Sequence, residues 1–214
     1  MTKVETHPEI RDAIRKLCGR FPGQYWRALD RERAYPKDFV NALTEAGWLS
    51  VLIPEQYGGA GLGIGAACAV LEEIHRSGAN GAACHAQMYT MGTLLRHGSD
   101  AQKEKWLPKI ASGEVRLQAF GVTEPTSGTD TTRIQTFAKK VGDKYVVNGS
   151  KIWISRAEHS DLMILLCRTS QRDEAGKASD GMSVLLVDMR EAKGKGLTIK
   201  PVRTMLNHAT TELF

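Results

Sequence analysis

The 214-residue sequence contains no apolar run approaching the ~20 residues that a membrane-crossing helix requires. Its opening residues, MTKVETHPEI, lack the apolar centre of a secretory signal. Cysteine is scarce: Cys18, Cys68, Cys84 and Cys167 lie far apart, without the paired spacing of zinc or dithiol chemistry. Small secreted scaffolds use cysteine densely, so this pattern points to a reduced, cytoplasmic protein. His85, His97, His159 and His208 show no metal-ligand spacing either. A dense basic stripe interleaved with aromatics is also lacking. The net charge of +5 comes from Lys and Arg spread along the whole length, which argues against nucleic acid and leaves room for a phosphate-bearing partner. No internal repeat or low-complexity tract occurs. What is present is an ordinary globular composition, 42% hydrophobic and 25% charged, in a length that fills one or two compact domains.

The first half carries helical periodicity. Thr6 and Glu9 have capping-box spacing ahead of Ile10, Ala13, Ile14 and Leu17. A second helix is expected to start near Pro36, with Phe39, Val40 and Leu43 on one face. A third runs from about Ile64 through Cys68, Leu71 and Ile74 to a stop near Gly78, and the segment from Gln87 to Arg96 is apolar enough to pack inside. Ser99 with Gln102 forms another capping box, and Pro108 is expected to bend or end the helix that follows. Beyond about Val115 the texture changes to short β-rich runs. These are Gln118–Thr123, Arg133–Val141, Lys144–Val147, Lys151–Ser155, Asp161–Arg168, Met182–Asp188 and Leu197–Val202. Gly142-Asp143 and Asn148-Gly149 supply tight turns between them. Helices first and strands afterwards predict an α+β chain, with a helical domain over residues 1–117 and a β-domain over residues 118–214. Residues 170–180 read as a polar loop. The chain closes on Thr211-Glu212-Leu213-Phe214, an apolar run without a polar tail, which reads as a truncation point.

The glycine-rich segment PEQYGGAGLGIGAA invites a nucleotide-binding reading, because Gly61, Gly63 and Ala66 match the G-x-G-x-x-G/A pattern. That motif works directly after a strand, where it opens a helix aimed at a pyrophosphate. Here Pro54 and polar residues follow the apolar run Val51–Ile53, no βαβ unit comes after, and no acidic residue stands where a ribose would need one. A plain connection between helices is the better reading.

Two segments carry chemistry. FGVTEPTSGTD, from Phe120 to Asp130, is a strand end followed by a hydroxyl-rich turn that can offer backbone N–H groups and hydroxyls to an anion. KIWIS, from Lys151 to Ser155, puts an indole and a hydroxyl on one face if side chains alternate along the strand. Such a face can stack on a flat heterocycle and bond its edge. Taken singly, the first reads as a polar turn and the second as a core tryptophan beside a surface serine. Glu124 is the tempting carboxylate.

Together they resemble the acyl-CoA dehydrogenase family. VLIPEQYGGAGLG, GSDAQKEKWLPKIASGE, FGVTEPTSGTD and NGSKIWIS are similar to that family's motifs in order and separation, and the resemblance runs from about residue 30 to residue 214. It implies an N-terminal all-α domain followed by a β-barrel-like middle domain, with the family's C-terminal four-helix domain absent from this sequence. It also implies FAD, an acyl-CoA substrate dehydrogenated at its α,β bond with hydride transfer to flavin N5, and a place in fatty acid metabolism. An electron-transfer flavoprotein as acceptor and a homotetramer at full length belong to the same expectation. Phe120, Val122 and Thr123 would line the flavin, with Thr123 on the pyrimidine edge. Gly128 would lie in the cofactor loop, and Thr129 would bond the pyrophosphate and lie near the acyl-CoA. Trp153 and its neighbour Ile154 would pack by the isoalloxazine, and Ser155 would bond near N5. The family commonly reads GAGSD where this chain has Thr126-Ser127-Gly128-Thr129-Asp130, and threonine where it has Ser155; both keep a hydroxyl. The resemblance places the catalytic glutamate in the C-terminal helical domain, so no catalytic residue and no metal ligand is assigned, and Glu124 belongs to the turn before Pro125. The 214 residues alone are expected to bind FAD weakly and turn over little or nothing. An oxidase or monooxygenase on the same scaffold, or a non-catalytic module of a larger complex, are the alternative readings.

Overall fold

The computed structural model describes residues 6–172 and 176–214, so the centre of the 170–180 loop lies outside the described residues. The chain divides between Arg116 and Leu117 into two compact units.

The first unit contains α1 (Pro8–Cys18), α2 (Gly23–Glu32), α3 (Lys37–Glu45), α4 (Ile64–Arg76), α5 (Ala82–His97) and α6 (Asp100–Ser112). The apolar faces of these helices meet: Ile14, Phe39, Leu43, Val70 and Ile74 belong to one buried cluster, each such side chain contributing ~1.5–3 kcal/mol. A polar clamp joins α1 to α4. Glu73, with 2% of its side chain exposed, accepts from Arg11 Nη1 at 3.0 Å and Arg15 Nε at 2.8 Å. Burial pushes the Glu73 carboxyl up, but the two guanidinium hydrogen bonds outweigh it and hold the group below its ordinary value.

The helices differ from the expectation at the start of α1 and in the presence of α2, and Pro108 does not end α6. His7, in the left-handed region at φ 55°, is the N-cap of α1 and no side-chain cap forms. The carbonyl of Thr6 instead accepts from Arg11 Nε at 2.7 Å, which turns the chain out of capping-box geometry. The Ser99–Gln102 box of α6 does form, yet that helix continues through Pro108 to Ser112. Leu107 and Ile110, both at 0% exposure, hold it to the core on either side of the proline. Helix α2 was not expected from the sequence and has no buried residue. Its Tyr25 and Trp26 are half-buried, meeting Phe21 and Phe39 edge to face with centroids 4.9–5.1 Å apart.

The glycine-rich segment folds back on the residues before it. Gly61 and Leu62 donate their N–H groups to the carbonyls of Ile53 and Val51 at 2.8 and 2.7 Å. Two of the donors that a dinucleotide turn would offer to phosphate are thus used internally, and Val51–Ile53 is turn and bend, not strand. Gly59 passes so close to Ile53 that a Cβ would stand 2.0 Å from its carbonyl oxygen.

The second unit contains β1 (Leu117–Gly121), β2 (Phe137–Val141), β3 (Lys144–Asn148), β4 (Lys151–Ser155), β5 (Leu162–Arg168), β6 (Met182–Asp188), the short helix α7 (Met189–Ala192), β7 (Ile199–Pro201) and β8 (Thr210–Leu213). In the larger sheet, β6 runs antiparallel along one edge of β5. The other edge takes β1 in parallel and then β2, through the single pair Phe137–Arg168. Strands β2 and β3 form a hairpin with Val141 opposite Lys144, closed by Gly142-Asp143 as the sequence predicts. The smaller sheet is antiparallel in the order β4-β8-β7. Strand β8 is therefore the middle strand of that sheet. Ala119, Ala138, Ile154, Met163, Leu165 and Leu213 fill the core of this unit. Strand β2 starts later than expected because Gln135 and Thr136 give their N–H groups to the Glu124 carboxylate. Among the described residues, no helix is long and apolar enough to cross a membrane.

The Gly59 contact is tested by substitution: Gly59→Ala is expected to lower stability in urea unfolding by ~1–3 kcal/mol, the range for overpacking. Gly92→Ala, in α5 where an added Cβ meets nothing within 4 Å, is expected to raise it by up to ~1 kcal/mol through helix propensity.

Candidate functional site

The two chemistry-bearing segments come together through one buried ion pair. After β1 the chain makes a tight turn in which Glu124 and Ser127 exchange backbone hydrogen bonds at 2.9 and 3.1 Å. The Glu124 side chain points inward: Oε1 accepts from Lys151 Nζ at 2.8 Å and from the Thr136 N–H at 2.9 Å, and Oε2 from the Gln135 N–H at 2.6 Å. Lys151 Nζ also donates to the Val122 carbonyl at 2.9 Å. Only 3% of the Lys151 side chain and 4% of the Glu124 side chain are exposed. Burial raises the Glu124 pKa, yet the Lys151 ammonium and the neighbouring donors bring it below the ordinary carboxylate value. For Lys151 burial is the larger effect and lowers its pKa, with Glu124 opposing. Glu124 is thus a structural acceptor with three donors on it, in keeping with its place in the turn before Pro125.

A third link follows directly, as Ile152 donates its N–H to the Thr123 carbonyl at 2.9 Å. Three hydrogen bonds therefore tie Val122, Thr123 and Glu124 to Lys151 and Ile152, and bring Thr123 next to the residue that precedes Trp153. Val122, Thr123 and Phe120 are half-buried, while Gly128, Thr129 and Asp130 are exposed. Ser127 Oγ donates to the Asp130 carbonyl at 2.6 Å, and Asp130 Oδ1 caps the next turn by accepting from the Thr132 N–H at 3.1 Å. Among the described residues, the N–H groups of Gly128 and Thr129 have no acceptor.

Strand β4 corrects the expectation of simple alternation. Its pairing with β8 slips between Lys151–Leu213 and Ile154–Thr211, and Trp153 sits in the left-handed region at φ 62°. Lys151 and Ile154 both turn inward, at 3% and 2% exposure, while Trp153 is 57% exposed. The irregularity re-aims the indole, as bulges do. A bulky residue in this conformation carries ~1–3 kcal/mol of strain and persists only where its surroundings over-determine it. Ile154 belongs to the core of the unit, and its carbonyl accepts from Thr211 Oγ1 at 2.8 Å. Neither its side chain nor its carbonyl faces outward with Trp153.

Several contributing residues escaped the sequence reading. Lys151 stood there only as the first residue of a strand. Arg168, 3% exposed, donates to the carbonyls of Ile134, Thr132, Asp180 and Ala178 at 3.2, 2.5, 3.2 and 2.9 Å. It thereby anchors the chain that leaves the turn. Asn207 Nδ2 donates to Ser155 Oγ at 2.8 Å. These residues lie 27 or more positions from most of their partners or act on backbone carbonyls, and no local pattern signals such contacts.

Comparison with known proteins adds an independent finding. Residues 4–114 match the acyl-CoA dehydrogenase N-terminal domain and residues 119–214 the acyl-CoA dehydrogenase middle domain. A glutaryl-CoA dehydrogenase of Desulfococcus multivorans is 35% identical over 214 residues, covering 96% of this chain and 52% of that protein. The mitochondrial isovaleryl-CoA dehydrogenase of Pongo abelii is 33% identical over 189 residues, covering 86% of this chain and 44% of that protein. The crystal structure of an acyl-CoA dehydrogenase from Geobacillus kaustophilus matches with a TM-score of 0.87 and 27% identity, over 100% of this chain and 56% of that one. The chain spans about half the length of the curated relatives it matches.

Removing one partner of the buried pair isolates its worth. Lys151→Met leaves a buried carboxylate without its cation and is expected to cost about 3–5 kcal/mol in urea unfolding of the second unit. Because the folded-state pKa of Glu124 is held below its ordinary 4.5, its contribution is fully present above that pH. It is lost as pH falls through the depressed folded value. Glu124→Gln is expected to flatten this part of an acid-unfolding curve.

Proposed function

This chain belongs to the acyl-CoA dehydrogenase family, and from that premise we propose that its second unit binds FAD against Trp153. Members of the family are FAD-binding flavoproteins. The observation that carries the reading is Trp153 itself, a strained indole left 57% exposed and tied through Ile152 to Thr123. An exposed large aromatic gains by stacking on a flat ring, and strain of this kind collects at ligand-binding positions.

The surrounding residues fit the cofactor. Trp153 supplies a plane for the isoalloxazine, Thr123 and Ser155 supply hydroxyls for its edges, and Phe120 and Val122 supply apolar lining. The exposed N–H groups of Gly128 and Thr129 suit a pyrophosphate. Of the two carboxylates in this segment, Glu124 faces inward onto Lys151, and the exposed Asp130 is engaged through Oδ1 by the Thr132 N–H and hydroxyl. FAD, when bound, supplies a two-electron acceptor, and the protein supplies position and electrostatics. Trp153 would keep water from one ring face, and Thr123 and Ser155 would bond the ring's edges. Gly128 and Thr129 would hold the phosphates, with Thr129 also bordering the acyl-CoA.

The wider activity is read on the same premise. We take the whole protein to be an oxidoreductase that removes the α-proton and β-hydride of an acyl-CoA thioester and passes the electrons to an electron-transfer flavoprotein. No residue of this chain is assigned as the α-proton base. A flavin contacted from one side loses much of its burial, so these 214 residues by themselves are expected to hold FAD weakly and turn over little or nothing.

A titration with FAD followed by flavin fluorescence is expected to saturate, with Trp153→Ala weakening the affinity roughly tenfold. Unchanged affinity in Trp153→Ala, or no binding by the parent protein, refutes the reading.

A further inference from the structure

Ser155 closes β4, and the next residue, Arg156, turns the chain at φ 61°. Its hydroxyl has one proton to donate and two lone pairs. The hydrogen bond that its side chain makes among the described residues comes from Asn207 Nδ2 at 2.8 Å. A side-chain amide nitrogen is a donor only, so in this bond Ser155 Oγ accepts. Its proton is then left to point elsewhere.

Asn207 is held firmly for an exposed residue. It sits in the left-handed region at φ 54°, where asparagine is among the few residues enriched. Its carbonyl accepts from the Thr210 N–H at 3.0 Å and from Thr210 Oγ1 at 2.7 Å. Thr210 is in turn the register partner of Ser155 across β4 and β8, and Arg156 donates its N–H to the Ala209 carbonyl at 2.7 Å. The same strand pair that carries Ser155 therefore anchors the loop that brings the amide to it.

We propose that Asn207 is a positioning residue for the cofactor site: its amide fills a lone pair of Ser155 Oγ and commits the Ser155 hydroxyl to act as a donor toward the bound flavin. This rests on the reading of that face as the FAD site. A serine that accepts from a fixed donor presents its proton in a restricted direction, whereas a serine without that partner can rotate and offer a lone pair instead. Asn207 thus sets the polarity of the contact without touching the cofactor.

The test compares Ser155→Ala, Asn207→Gly, Asn207→Asp and the double variant Ser155→Ala/Asn207→Gly in the intact protein. The readouts are the FAD dissociation constant and the visible absorption spectrum of the bound flavin. Glycine adopts the left-handed conformation freely and the site is exposed, so Asn207→Gly removes the donor while sparing the fold. Losing one well-directed hydrogen bond is expected to weaken FAD binding roughly three- to tenfold in Ser155→Ala and in Asn207→Gly, with a shared spectral shift. The double variant is expected to be no worse than the worse single one. Asn207→Asp, whose carboxylate would draw the serine proton to itself, is expected to weaken binding at least as much as glycine. If Ser155→Ala shifts spectrum and affinity while Asn207→Gly or Asn207→Asp behaves as the parent, or if the single effects add, the role of Asn207 is overturned and the site stands. If Ser155→Ala is itself silent, the proposal falls together with the placement of the flavin.

Discussion

The Lys151–Glu124 ion pair is the contact on which the second unit depends. Taking an ammonium and a carboxylate out of water is unfavourable, and their attraction offsets that cost only when further hydrogen bonds complete the arrangement. Here they do so on both sides. Lys151 also caps the Val122 carbonyl, and Glu124 also receives the N–H groups of Gln135 and Thr136. One pair thereby determines where β1 gives way to the turn, where β2 begins and where β4 enters the smaller sheet. Arg168 repeats the device at the far end, spreading one guanidinium over four carbonyls.

The strain at Trp153 follows from that constraint. Lys151 is drawn inward by Glu124, and Ile154 is drawn inward by the apolar core. Both anchors lie on the same strand three positions apart, which strict alternation would send to opposite faces. The backbone resolves the conflict with a register slip, a left-handed tryptophan and an indole in solvent. The exposed aromatic is thus a product of the packing beneath it. Asn207 and Thr210 apply similar over-determination to Ser155 from the neighbouring strand.

Much of the fold could be read from the sequence where a face is fully buried. Phe39 and Leu43 mark α3, and the β5 run Leu162–Arg168 is apolar enough to stand at the centre of a sheet; of the face read for α4, Ile74 is buried while Ile64 and Cys68 are exposed, because the helix packs through Ala66, Ala67 and Val70 instead. Ser99 and Gln102 also delivered the cap that their spacing predicts. Elements that bury only half of themselves were less legible. Helix α2 starts at glycine and offers aromatic edges without a continuous apolar stripe, and β8 has a threonine-rich start that pattern alone leaves undecided. Thr6 and Glu9 matched a cap that did not form, since α1 starts from His7 in the left-handed region and the Thr6 carbonyl is taken by Arg11. The candidate site was legible by its segments but not by its geometry. The hydroxyl turn and KIWIS could be singled out locally, whereas the bulge that aims Trp153 and the pairing of residues 124 and 151 depend on tertiary contacts.

The most direct test is a crystal structure of the protein with FAD bound. The isoalloxazine ring is expected in van der Waals contact with Trp153, with hydrogen bonds from Thr123 and Ser155 to its edge and the Lys151–Glu124 pair intact beneath. A flavin seated on another surface, or one bound beside Trp153 with that ion pair broken, would contradict this arrangement.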